Sequence, residues 1–155
     1  MKKKMANSDQ AHVTSSALPS EVHLEDCVKA LKRFNDKHFD LAVVDPPYGI
    51  GASKGTWGSS NKGKVTDYGK KDWDNKIPDD EYFFELMRVS KNQIVWGGNY
   101  FGLRPSSCWL VWDKLKAFPT MADAELAWTS LDRPAKLFRH RGPVHESGHP
   151  TEKPL

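Results

Sequence analysis

The sequence predicts an α/β fold with a mixed, mostly parallel sheet and an antiparallel edge. Residues 41–44 form a short Val-rich apolar run, which is typical of a strand buried on both faces at the centre of a parallel sheet. Helical spacing at residues 78–91 separates this run from a second apolar run at 93–96, as in a right-handed strand, helix, strand unit. The antiparallel edge is predicted because three later apolar segments follow one another without helices between them: 107–112, 124–129 and 136–139.

The composition indicates one globular domain. The 155 residues are 38% hydrophobic and include six Trp and seven Phe, which is enough apolar surface for a single core. A net charge of +3 favours a polyanionic partner without requiring one. The two cysteines are predicted to be buried and form no Cys-x-x-Cys pair, so neither a disulfide scaffold nor a metal site is expected. Because no apolar stretch reaches the roughly 18 residues of a membrane span and no signal-peptide core follows the first lysines, we expect a cytoplasmic protein without membrane contact.

The first part of the chain divides into a polar arm and the start of the domain. Residues 1–20 lack apolar periodicity and are predicted to be a flexible arm, which leaves residues 21–155 as the folded portion. Residues 22–24 are predicted to be a short strand. A helix is expected to open at Asp26 and Cys27, where Asp26 occupies the N-cap position.

Two prolines make a rigid corner directly after residues 41–44. Asp45-Pro46-Pro47-Tyr48 starts at the carboxyl end of that predicted strand, which is where open α/β sheets bind ligands. The prolines exclude helix, fix the backbone and remove two N–H donors, so the corner offers a carboxylate, carbonyl oxygens and an aromatic face. Such a corner accepts hydrogen bonds from an amine and stacks on a flat ring. The alternative, a rigid turn whose acid only caps the backbone, remains open at this point.

A long segment rich in glycine and lysine follows the corner, from residue 49 to about residue 76. Irregular segments of this length in a compact domain are usually functional or disordered. Lysines spaced by glycines and aromatic residues suit contact with a phosphate backbone, and the alternative is a solvated, partly disordered loop. Gly49 and Gly51 do not make a dinucleotide fingerprint, because the third glycine is missing. The predicted nucleic-acid contacts are Lys54, Trp57, Lys62, Lys64, Lys70 and Lys71.

The clearest helix signal covers residues 78–91, where Pro78 opens the pattern, acids fill the first turn and basic residues close the last. The turn at residues 97–102 follows the next strand and also falls at a carboxyl end. The segment is predicted to be a plain glycine turn, and the alternative is that Asn99 or Tyr100 borders the predicted pocket.

The corner and several later segments resemble one enzyme family in the same order. Asp45-Pro46-Pro47-Tyr48 is similar to the catalytic motif of the amino-methyltransferases, which transfer a methyl group from S-adenosylmethionine to an exocyclic amine of DNA. The resemblance continues through Ile94-Val95-Trp96-Gly97-Gly98-Asn99-Tyr100-Phe101, Trp112-Asp113-Lys114, Ala124-Glu125-Leu126-Ala127-Trp128 and His149-Pro150-Thr151-Glu152-Lys153-Pro154. The chain therefore resembles the phage and bacterial adenine-type DNA methyltransferases of restriction-modification systems, in which the catalytic half precedes the cofactor half.

This resemblance implies S-adenosylmethionine as cofactor, double-stranded DNA as substrate and adenine, less favourably cytosine, as the methylated base. The base is flipped out of the duplex, Asp45 and the carbonyl of Pro46 accept the hydrogens of its amine, and Tyr48 stacks on its ring. Pro47 completes the catalytic corner. Asp26 is expected either to cap its helix or to contact the cofactor. The implied cofactor contacts are Asp26, Cys27, Asp45, His149, Thr151 and Lys153.

The sequence departs from the family at its end. Leu155 directly follows the His-Pro-Thr-x-Lys-Pro element, and no glycine-rich cofactor loop is found. The expected fold is therefore a partial Rossmann-like methyltransferase fold that lacks the cofactor-loop half and leaves the strand ending at Asp45 at an exposed edge. We expect self-association or a complementing chain to cover that edge. Two functions stay open: a DNA amino-methyltransferase, active alone or with a second chain, and a non-catalytic remnant or half of a split enzyme that binds DNA or a partner.

Overall fold

The computed structural model describes residues 20–51, 74–115 and 122–140. The elements in chain order are α1 (Cys27–Leu31), β1 (Phe39–Val44), α2 (Asp80–Val89), β2 (Ser90–Trp96), a 3-10 turn (Gly98–Tyr100), β3 (Trp109–Asp113), β4 (Ala124–Thr129) and β5 (Lys136–Arg139). The predicted flexible arm lies outside the described residues apart from residue 20. The predicted contacts that also lie outside them are Lys54, Trp57, Lys62, Lys64, Lys70, Lys71, His149, Thr151 and Lys153.

The five strands form one mixed sheet in the order β1-β2-β4-β3-β5. β1 is parallel to β2, β5 is parallel to β3, and β4 is antiparallel to both of its neighbours. The predicted α/β class and mixed sheet are confirmed, and four of the five described strands point the same way, but the prediction that the antiparallel strand lies at an edge is wrong. The reversed strand lies in the middle, because the long connection after β2 carries the chain past one strand position and β4 then folds back into it.

β1 is an edge strand of this sheet, and the prediction that residues 41–44 are buried on both faces at the sheet centre is wrong. Leu41 is 49% exposed and Val43 is 59% exposed, whereas Ala42 and Val44 pack against the core. A Val-rich run is compatible with a central strand and also with an edge strand that has one covered face. The sequence pattern therefore did not distinguish the two positions. The exposed apolar face agrees with the expected uncovered edge.

α2 supplies the main apolar face of the core. Asp79 caps the helix by accepting the N–H of Tyr82 at 3.1 Å, so the helix begins at Asp80, two residues after the start predicted at Pro78. Tyr82 and Leu86 pack with residues of β2, β4 and the turn that follows β2, in a cluster of Tyr82, Leu86, Val95, Phe101 and Trp128. The strand β2 begins directly after α2, so Lys91 belongs to the strand and not to the last helical turn.

α1 is short and is fastened to α2 by polar contacts. Asp26 accepts the N–H of Lys29 at 2.9 Å, which confirms its position as the N-cap. Residues 22–24 are not a strand, because no strand of the described ranges lies beside them and the side chains of Val22 and Leu24 are exposed. Cys108 is buried as predicted, but Cys27 is exposed.

An aromatic cluster covers the other face of the sheet. Trp112 stacks on Phe138 with ring centroids 6.5 Å apart, and Trp96 meets both rings edge-on. The indole N–H of Trp112 donates to the carbonyl of His140 at 2.8 Å. Within the described ranges, neither helix has the length and apolar character needed to cross a bilayer.

Candidate active site

The proline corner lies where β1 ends, at the carboxyl end of the sheet. The hydroxyl of Tyr48 donates a hydrogen bond to Oδ1 of Asp45 at 2.7 Å. Asp45 is exposed, Pro46 is buried, and Pro47 and Tyr48 are half-buried. The fold therefore brings the acid and the phenol together, with the acid accessible and the proline backbone anchored in the core. We call residues 45–48 the acid–tyrosine corner.

The turn after β2 closes against the ring of Tyr48. Tyr100 stacks on Tyr48 with ring centroids 4.9 Å apart and an interplanar angle of 15°. Gly97 has φ +66, and a Cβ added to it would lie 2.1 Å from Cε1 of Tyr48 and 2.6 Å from both Cδ1 and Cζ. The 2.6 Å distances to the two carbons that flank Cε1 are too short for an approach in the plane of the ring, so Gly97 packs over the ring face. Glycine is needed here both for the left-handed backbone and for the close approach. Tyr100 thus borders the corner, as one of the two predictions for this turn required.

The electrostatic surroundings keep the proton on Tyr48. Burial is the largest cause that raises the pKa of Tyr48. The hydrogen bond to Asp45 raises this pKa further, and so do the negative charges of Asp45 and Glu125. The phenol is therefore a hydrogen-bond donor at physiological pH. Glu125 is paired with Lys114 at 2.6 Å, and Lys114 lies 5.4 Å from the ring centroid of Trp112. Lys114 and Glu125 lie in two of the segments that resemble the methyltransferases, but the sequence analysis predicted no role for either residue.

The described cofactor candidates are Asp26 and Cys27 at the start of α1 and Asp45 directly after β1. Cys27 and Asp45 are exposed. Burial is the main cause that raises the pKa of Tyr82 to about 12, and the charges of Cys27 and Asp45 add smaller effects in the same direction. The carboxylate of Asp26 is engaged as a helix cap, and its contact with a cofactor stays a prediction.

Asp74 is a site-adjacent residue that sequence reasoning missed. Its side chain is 1% exposed, and its Oδ1 accepts the N–H of Gly49 at 2.9 Å. Its backbone carbonyl accepts the N–H of Gly51 at 3.1 Å. The contacts predicted within the irregular segment 49–76 are lysines and Trp57, so Asp74 received no role. The available signal was an acid at the far end of a segment otherwise rich in glycine and lysine.

Comparison of the chain with protein-family models and with curated proteins gives no match. The assignment of function therefore depends on the geometry of the corner and on the resemblance of its motifs.

Proposed function

We propose that this chain is the catalytic portion of a Rossmann-like DNA methyltransferase that uses S-adenosylmethionine. Its target is the exocyclic amine of adenine, less favourably of cytosine, in a base flipped out of double-stranded DNA. The observation that carries the proposal is the 2.7 Å hydrogen bond between Tyr48 and Asp45. It holds an aromatic ring and an accessible carboxylate side by side at the carboxyl end of a strand that is parallel to its neighbour.

The corner recognises an amine through acceptors only. Asp45 and the carbonyl of Pro46 accept the two amine hydrogens, because the prolines leave no N–H donor at positions 46 and 47. Accepting both hydrogens draws the nitrogen lone pair out of conjugation with the ring and points it away from the corner. The carboxylate then stabilises the positive charge that develops on the nitrogen, so catalysis rests on positioning and electrostatics.

The stacking surface requires one rearrangement. Tyr100 covers Tyr48 in the structure, and 46% of Tyr100 is exposed to solvent. A base that stacks on Tyr48 therefore takes the place of the Tyr100 ring. The exchange replaces one stacked pair by another, so its cost in free energy is small.

The cofactor supplies an electrophilic methyl group when it is bound. Cys27 and Asp45 are the exposed described residues that would contact it. The predicted contacts of Lys54 and the other loop residues would hold the DNA backbone.

Transfer of a labelled methyl group from S-adenosylmethionine to DNA tests the proposal. Asp45→Ala should lower the turnover number by roughly 100- to 1,000-fold, as loss of a preorganised transition-state contact does elsewhere. Asp40→Ala is the matched control, because Asp40 is an exposed acid at the other end of β1 that pairs with Lys91. Equal activity of the two variants, or a wild type that neither transfers methyl nor binds S-adenosylmethionine in calorimetry, would refute the enzyme assignment.

A second candidate function is favoured by the free edge of β1. Exposed Leu41 and Val43 on an edge strand suit pairing with a second copy or with a complementing chain, as in half of a split enzyme. Sedimentation velocity over a wide concentration range should show reversible self-association that Val43→Lys weakens. Leu137→Lys on the opposite edge strand is the control, since Leu137 is 57% exposed and Val43 is 59% exposed. A monomer at every concentration would exclude self-association through β1.

A further inference from the structure

We propose that Asp74 is the positioning residue of the acid–tyrosine corner, because it fastens the turn 49–51 and so holds Tyr48 in its hydrogen bond to Asp45. The effect on turnover rests on the proposed function. The effect on Tyr48 does not.

Asp74 clasps the turn through two hydrogen bonds of different kinds. The side chain accepts from Gly49 at 2.9 Å and the backbone carbonyl accepts from Gly51 at 3.1 Å, so one residue brackets three positions of the turn. Gly49 and Gly51 have φ +71 and +72, which an L side chain rarely adopts. A Cβ at Gly49 would lie 3.0 Å from Cγ2 and 3.1 Å from N of Ile77. The turn therefore lies directly on the segment that begins with Asp74.

The first of these bonds acts on Tyr48 through a single peptide plane. The N–H that Asp74 binds belongs to the peptide that joins Tyr48 to Gly49. Because a peptide is planar, fixing that N–H also fixes the carbonyl carbon of Tyr48 and limits its ψ. On the other side, the ring of Pro47 fixes the φ of Pro47 itself. Two backbone torsions next to the ring of Tyr48 are thus limited, the φ of Pro47 and the ψ of Tyr48, which narrows the conformations from which the phenol reaches Asp45.

The burial of Asp74 distinguishes this clasp from an ordinary loop contact. Asp74 is 1% exposed, and its carboxylate is a strong hydrogen-bond acceptor. The N–H of Gly49 reaches this carboxylate only while the turn keeps its left-handed backbone. The other buried acid of the described ranges, Glu85, is 7% exposed and pairs with Arg88 on its own helix. Of these two acids, only Asp74 touches the chain that leaves the corner.

Tyrosine labelled with ¹³C at Cζ gives a readout at Tyr48 that does not depend on catalysis. The chain has four tyrosines, so the spectrum is simple and Tyr48→Phe identifies the resonance. Asp74→Ala removes the acceptor and should shift the Tyr48 resonance toward that of free tyrosine. Asp74→Asn keeps an acceptor oxygen and should leave the resonance near its wild-type position.

Two further variants keep the test decisive if Asp74→Ala does not fold. Gly51→Ala has open space around its new Cβ but a strained φ, so it should loosen one half of the clasp and shift the Tyr48 resonance in the same direction, by less. Ser90→Ala is the control: Ser90 is 0% exposed and donates to the carbonyl of Leu86 away from the corner. An unmoved Tyr48 resonance in folded Gly51→Ala or Asp74→Ala, or an equal shift in Ser90→Ala, would overturn the proposal.

Methyl transfer separates this proposal from the proposed function. If both hold, Asp74→Ala lowers kcat by roughly 100-fold with little change in KM, as a misplaced catalytic group does, and Asp74→Asn restores most of it. A wild type without methyl transfer, combined with the predicted Tyr48 shifts, would refute the function and leave the clasp intact. Normal kcat in Asp74→Ala would refute the positioning role.

Discussion

Glu85 and Asp74, the two buried acids within residues 20–51, 74–115 and 122–140, hold two different regions of the molecule. Glu85 pairs with Arg88 at 2.6 Å, and Arg88 also donates to the carbonyls of Phe34 and Leu31, so this acid ties α1 to α2. Asp74 instead accepts backbone N–H groups of a turn beside the acid–tyrosine corner. At the helix junction an ion pair and its hydrogen bonds join two structural elements. At the corner the carboxylate of Asp45 is exposed to solvent while the residues around it are held in place.

This difference shows that a side chain can stay exposed to solvent while its neighbours fix its position. At the helix junction the charged groups bind one another. At the corner, Gly97, Tyr100 and Asp74 all hold Tyr48, while Asp45 stays exposed. A carboxylate that is accessible but fixed by its neighbours is the arrangement that binding or catalysis requires.

The largest effect is expected from closing the space over the Tyr48 ring. Gly97→Ala places a methyl 2.1 Å from Cε1 of Tyr48 at a residue with φ +66, so it should cost about 2–4 kcal/mol of stability and displace the phenol. Methyl transfer should fall with it. Denaturant unfolding and the labelled-methyl assay measure the two effects.

Gly102→Ala is the matched control for that change. A Cβ at Gly102 meets nothing within 4 Å, and Gly102 is exposed in the same connection after β2. Its free energy of unfolding should stay within about 0.5 kcal/mol of the wild type. Equal loss in the two variants would show that the ring of Tyr48 does not set the requirement for glycine.

The next effect separates the helix junction from the corner. Arg88→Met removes the contacts to Glu85, Phe34 and Leu31 and should lower the melting temperature by several degrees, because Glu85 is left buried without its cation. The Tyr48 resonance and the turnover of the folded fraction should not change. Lys91→Met breaks only an exposed pair with Asp40 and should leave the melting temperature almost unchanged.

Local patterns in the sequence predicted the corner and most elements, apart from the strand wrongly predicted at residues 22–24, but they did not predict how the strands are ordered. β4 and β5 occupy the predicted residues, and the hydrogen bond between Asp45 and Tyr48 agrees with the expectation that the corner holds an acid and a phenol together. Turn chemistry and apolar runs are local, so they are visible in a single sequence. The central place of β4 depends on which pairings bury the sheet best, which no local pattern records.

The contacts of Tyr48 could be predicted from the sequence only in part, because most of them join residues that are far apart in the chain. The turn 97–102 was predicted at a carboxyl end, but the stack of Tyr100 on Tyr48 joins two turns that follow different strands. The clasp by Asp74 joins residues 25 positions apart across the lysine-rich segment. Contacts of this kind depend on tertiary structure, and the spacing of residue types does not encode them.

The raised pKa of Tyr48 predicts a loss of stability at high pH. Burial and the bond to Asp45 favour the neutral phenol in the folded state, so the folded chain keeps a proton that the unfolded chain releases near pH 10. The contribution is fully present below about pH 10 and is lost as pH rises further. Tyr48→Phe should therefore make the decline less steep, by at most about 1.4 kcal/mol per pH unit.

Urea unfolding at pH values from 8 to 11 measures that slope. Tyr82→Phe is the useful comparison, because burial raises the pKa of Tyr82 to about 12 and it contributes in the same direction up to that pH. Tyr48→Phe should also lose the bond to Asp45 at every pH below 10, at a cost of about 1 kcal/mol. An unchanged slope in Tyr48→Phe would mean that the phenol ionises freely in the folded chain.

The smallest effect concerns the stack between Tyr100 and Tyr48. Because Tyr100 is 46% exposed, Tyr100→Ala should cost only about 0.5 kcal/mol of stability, at the low end for an aromatic pair. If a flipped base takes the place of the Tyr100 ring, removing that competitor should lower KM for DNA by about twofold. Tyr100→Phe keeps the stack and should match the wild type. A raised KM in Tyr100→Ala would instead mean that the base stacks on Tyr100 itself, with the pair of Tyr48 and Asp45 left intact beneath it.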